Sequence, residues 1–104
     1  MLHKPHRPRF VRLSAEHCRA VLGAGAELEQ WMVISNGRFV AKQRITMIGP
    51  RGRIDGVAVV GPIVETTQVS LAMNDDEKLG LADDPSRGVL LVGPGGEAKV
   101  VASE

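Results

Sequence analysis

A short internal repeat narrows the folds open to this chain more than any other feature. Ile45-Thr46-Met47-Ile48-Gly49-Pro50-Arg51-Gly52 returns 44 residues later as Val89-Leu90-Leu91-Val92-Gly93-Pro94-Gly95-Gly96. In each copy an apolar run stops at Gly-Pro-x-Gly. Proline cannot donate to a sheet ladder and glycine permits a sharp reversal, so each copy reads as strand, tight turn, strand. Two such hairpins in 104 residues point to a small barrel or a two-sheet sandwich. Neither copy is a phosphate loop, because no helix follows and the Gly-Lys-Ser/Thr ending is missing.

The other segments fit around these hairpins. Pro5 and Pro8 make residues 1–8 a flexible basic arm. Arg9–Leu13 is a short strand candidate. Ser14 is placed to cap a helix whose apolar positions Ala15, Cys18, Val21 and Leu22 share a face, and Gly23 stops it. Trp31–Ile34 reads as a strand closed by the hairpin turn Ser35-Asn36-Gly37. Extended patterns run over Arg38–Ile48 and Arg53–Val60. In residues 67–73, Val69, Leu71 and Met73 alternate with Gln68, Ser70 and Ala72. Asn74 and Glu77 have capping-box spacing, predicting one helical turn that ends at Gly80. Asp75, Asp76 and Glu77 then sit at the positive end of that turn. Val89–Val92 and Lys99–Ala102 are the last strands. The prediction is a mainly β fold: a single small β-barrel domain over 9–104, with one N-terminal α-helix and a short helical turn.

Composition removes several function classes. No apolar run reaches the ~18 residues of a membrane span, and MLHKPHRPRF lacks a signal-peptide core. One cysteine, Cys18, excludes an internal disulfide framework and fits a reducing cytoplasm. Cys18 is expected to pack inward as a small hydrophobe. Net charge is +1, but Lys4, Arg7, Arg9 and Arg12 crowd the first 12 residues and leave the remaining 92 at −3. The aromatics are only Phe10, Trp31 and Phe39, too few for a base-stacking platform, so nucleic-acid binding is a distant third reading.

The order RFVRLS, a helix ending at Gly23, QRITMIGPRGRIDGVAVVGP, TTQVSL with an acidic turn and LGL, then VLLVGPGG resembles the propanediol-utilisation phosphotransacylases, the PduL-type phosphate propanoyltransferases. The resemblance covers roughly residues 9–96 and is best over 44–81. It implies an acyl transfer between coenzyme A and phosphate, two related barrels, and zinc held between them. This chain corresponds to the first barrel. The family's opening motif is Arg-His-Val-His-Leu-Ser, whose two histidines ligate zinc, and here Phe10 and Arg12 stand in their places. Arginine is always charged and cannot ligate. Gln43 replaces a glutamate ligand. In Gly61-Pro62-Ile63-Val64, Val64 replaces a phosphate-binding arginine.

His3, His6 and His17 are the only histidines. His3 and His6 fall on the arm, and His17 is expected to face solvent, so no metal site is predicted. Ser14, Ser35, Ser70, Thr66, Thr67, Cys18 and His17 show no spacing that forces a catalytic triad, and Glu65 reads as an exposed strand-end charge. The expectation is a barrel with degenerate catalytic positions that binds coenzyme A, an acyl phosphate or a partner subunit. Arg44, Arg51, Arg53 and Gln68 are its candidate anion contacts. No resident cofactor is expected, and a homodimer or a partner of the same family is. The second reading is a working phosphate acyltransferase assembled with another chain. Packaging into a microcompartment is not expected.

Overall fold

The structure, a computed structural model, describes residues 8–81 and 88–101. His3, His6 and all of the predicted arm except Pro8 lie outside the described residues. The elements are β1 (Phe10–Arg12), α1 (Ala15–Leu22), β2 (Gln30–Val33), β3 (Phe39–Ile48), β4 (Arg53–Gly61), β5 (Gln68–Ser70), α2 (Asp75–Leu79), β6 (Val89–Gly93) and β7 (Gly96–Val100). One sheet has the order β5-β1-β4-β3-β6-β7, and β2 pairs separately with β3. It curls around its core as a small open barrel.

The long strand β3 organises the curl. Its first residues pair with β2 and its last with β6, while β4 runs along its other side. Two register shifts break the β3–β4 ladder, between Val40 and Arg44 and between Ile45 and Met47. Such shifts bend a strand and increase its twist. The inner face carries Val11, Ile45, Met47, Val57, Val59, Val69, Val89 and Leu91, all buried. Cys18, Val21 and Leu22 of α1 close this core, packing over β6 and β7. Ala15, predicted on the same face, is exposed because it precedes the helix's first inward turn.

The sequence repeat is a structural repeat. Thr46 pairs with Val92, Met47 with Leu91, and Ile48 with Leu90. Met47 and Leu91 are equivalent positions of the repeat, and the two flanking pairs exchange with each other. A pseudo-two-fold axis therefore passes between Met47 and Leu91. Each Gly-Pro-x-Gly turn also caps a helix. The Arg51 amide donates to Leu79 O at 3.1 Å, and the Gly95 amide donates to Val21 O at 2.8 Å. These are carbonyls that a helix C-terminus leaves unpaired. The approach requires glycine: a Cβ on Gly49 would lie 2.2 Å from Leu79 O, and one on Gly95 2.2 Å from Gly23 N.

Several expectations are corrected. The last described strand is Gly96–Val100 and begins before the expected Lys99, because Gly93 pairs with Gly96 across a two-residue turn and pairing begins at once; Ala102 lies outside the described residues. The alternating segment is a strand only over Gln68–Ser70; Leu71 packs against the core but Met73 is exposed. Asn74 precedes α2 but makes no side-chain cap, and no capping box forms. Its left-handed backbone, at φ 70°, turns the chain. Asp75 supplies the bond, accepting from the Ala72 amide at 2.7 Å. Ser14 and Gly23 bound α1 as predicted, and Gly80 ends α2. Among the described residues no helix is long and apolar enough to cross a membrane.

Candidate functional site

Strand pairing assembles one candidate face. Val11, Val59 and Val69 align across β1, β4 and β5 and point into the core. Side chains one residue away point the other way. Arg44, Ala58, Phe10 and Ser70 thus form one row across β3, β4, β1 and β5. Arg12 opposite Gln68 lies in the next row, on the same outward face. Arg12 is half-buried, and its Nε is fully buried with no hydrogen-bond partner among the described residues. The guanidinium of this half-buried side chain is a fixed positive charge on the face. Arg44 donates to Gly56 O at 3.0 Å and is otherwise exposed.

Of the four anion contacts expected from sequence, Arg44 and Gln68 share this face with Arg12. Arg51 does not join them; it sits in the first Gly-Pro-x-Gly turn with its stem over Gly80. Arg53, opposite Ile48, also points outward but pairs with exposed Asp55 at 2.8 Å. The Arg53 and Thr46 bonds hold the Asp55 carboxyl below its ordinary range.

The structure also places Phe10, Arg12, Gln43 and Val64, the positions that the resemblance implies are replaced. Phe10 and Arg12 lie two apart on β1, as two cooperating ligands would. Val64 adjoins this strand end, its amide donating to Leu13 O at 3.0 Å and its backbone bridging Ser14. Gln43 is committed elsewhere: its Nε2 donates to Glu27 O at 2.7 Å, and its Oε1 accepts from the Glu29 amide at 3.0 Å. Among the described residues no three His, Cys, Asp or Glu side chains converge. The zinc implied by the family does not fit this donor set, which offers phenylalanine, a permanent cation and an amide.

Beside this face is a cluster that sequence spacing did not reveal. His17 is not turned to solvent as expected. It is half-buried, with Nδ1 2.5 Å from Thr67 Oγ1. Thr67 Oγ1 also accepts from the Ser14 amide at 2.9 Å and donates to Ser14 Oγ at 3.2 Å. The direction of the bond between His17 Nδ1 and Thr67 Oγ1 follows the imidazole tautomer. The trio clamps α1 to the start of β5. A separation of 50 residues gives no local signal for this pairing.

A second polar centre lies at α2. Arg9 Nε and Nη2 donate to Asp75 Oδ2 and Oδ1, both at 2.8 Å. Burial alone would raise the Asp75 carboxyl, but the Arg9 bonds and the Ala72 amide outweigh it and hold the carboxyl below its ordinary range. The acidic cluster is therefore anchored by a paired carboxylate. Cys18 is buried, and burial pushes its thiol up, away from reactivity.

The sequence is similar to those of known proteins. The family described as phosphate propanoyltransferase matches residues 7–101. A phosphate propanoyltransferase of Thermotoga maritima is 32% identical over 97 residues, covering 85% of this chain and 46% of the relative. One of Planctopirus limnophila is 40% identical over 100 residues, covering 85% and 40%. One of Leptotrichia buccalis is 39% identical over 74 residues, covering 70% and 35%. The chain spans less than half the length of these relatives.

Proposed function

The chain belongs to the phosphate propanoyltransferase family, and from that premise we propose that it is a binding unit that keeps the family's barrel without its acyl transfer. The ligand is a phosphate-bearing molecule of the family's chemistry, coenzyme A or an acyl phosphate. One observation carries this reading. Arg12 stands where the resemblance implies a zinc ligand and brings a fixed positive charge to the face shared by Arg44 and Gln68, its Nε buried without a partner among the described residues. A site rebuilt in this way attracts the anion but has lost the group that would polarise it. Binding of propanoyl phosphate and of coenzyme A, followed by calorimetry, tests the proposal. Arg12→Gln is expected to weaken binding about tenfold or more, the worth of one charge-assisted contact. Equal affinity in Arg12→Gln would overturn the assignment.

A second reading is a working phosphate acyltransferase of the family's kind whose site is completed with another subunit. That reading requires zinc ligands from the other subunit. Stoichiometric zinc retained by a mixed complex after mild chelation would support it.

A further inference from the structure

We propose that two copies of this chain associate through the outer edges of their β2 strands, antiparallel across a two-fold axis. The strand is unlike the others in the sheet. All four of its residues are exposed, although three of them are large and apolar. Trp31 is 57% exposed, Met32 48%, Val33 62%, and Ile34 just beyond the strand 51%. A strand at an ordinary sheet edge buries alternate side chains, and here neither face is buried.

The main chain is also open. Trp31 sits at a register shift and faces no residue of β3. The Ile34 amide donates inward to Arg38 O. Strand alternation therefore turns the polar groups of Val33 away from β3. Neither proline nor lysine, the residues that usually blunt such an edge, occurs between Gln30 and Ile34.

Charge identifies the occupant as a second copy. Exposed Glu27 and Glu29 precede the strand, and exposed Arg38 follows its turn. Antiparallel pairing of two identical edges brings the acidic end of each beside the basic end of the other. Parallel pairing would set acid against acid. The contact is isologous, so it closes at two copies. It uses no residue of the anion face and stands independently of the proposed function.

Trp31 is the chain's single tryptophan and reports on this contact directly. Sedimentation of the whole chain should show a dimer that dissociates on dilution. Trp31 emission should shift to longer wavelength in step with the mass change. Val33→Lys should be monomeric at concentrations where the parent is dimeric. Glu29→Arg and Arg38→Glu should each weaken association about fivefold, and the double variant should recover it. If Val33→Lys loses its folded circular-dichroism spectrum, the charge-swap set decides. The proposal is overturned by a monomer at every concentration or by a dimer whose Trp31 emission ignores dilution. A double swap that fails to recover association would also overturn it.

Discussion

At Gln43 one side-chain amide uses both of its ends, and this explains the residue type without reference to chemistry. Its nitrogen donates to Glu27 O while its oxygen accepts from the Glu29 amide. A carboxylate could keep the second bond but not the first. Gln43→Glu should therefore lower stability by about 1 kcal/mol in denaturant titration, the usual worth of one bond. Asp75 makes a sharper case. Its carboxyl lies below the ordinary 3.8 when folded, so its contribution is full above that value. The contribution is lost as pH falls through the lowered folded value. Asp75→Asn should cost about 2 kcal/mol at neutral pH and flatten the fall in melting temperature below about pH 4. Sequence indicated that the acids 75–77 belonged to a helix start. It could not indicate that Arg9, 66 positions away, neutralises one of them. The placing of Phe10 and Arg12 two apart on one strand was legible because their segment is local. The burial of Arg12 Nε was not, since burial depends on strands from elsewhere in the chain.

The hairpins show how local signals become tertiary ones. Each Gly-Pro-x-Gly turn was readable because proline and glycine act on their own backbone. The role of the turns as helix caps was not readable, since the Gly95 partner is 74 positions earlier, at Val21. Glycine is required at the close approaches. Gly49→Ala and Gly95→Ala should each cost about 2–3 kcal/mol, the range for forced overpacking. Gly37, where a Cβ would meet nothing within 4 Å, provides the comparison. Gly37→Ala pays only for its φ of 77°, about 1 kcal/mol. Equal losses at all three positions, measured by thermal unfolding, would contradict the capping account. The β2 run Trp31–Ile34 was legible as a strand from its apolar content. Its exposure was not, because a short apolar run looks the same at a core and at an open edge.

Across the whole molecule the repeat, the register and the caps describe one device. Two hairpins related by a pseudo-two-fold axis pair at Met47 and Leu91, and each binds the end of a helix outside itself. The scaffold is fixed by glycines, prolines and inward valines. Phe10 and Arg12 lie on the outward face of β1 and can vary without disturbing the core, because Val11 between them points the other way. The most direct measurement is release of coenzyme A from propanoyl-CoA plus phosphate, with and without added zinc. The account predicts no release above background in either condition. Turnover that depends on zinc would contradict it, and would place metal ligands where Phe10, Arg12 and Gln43 supply none.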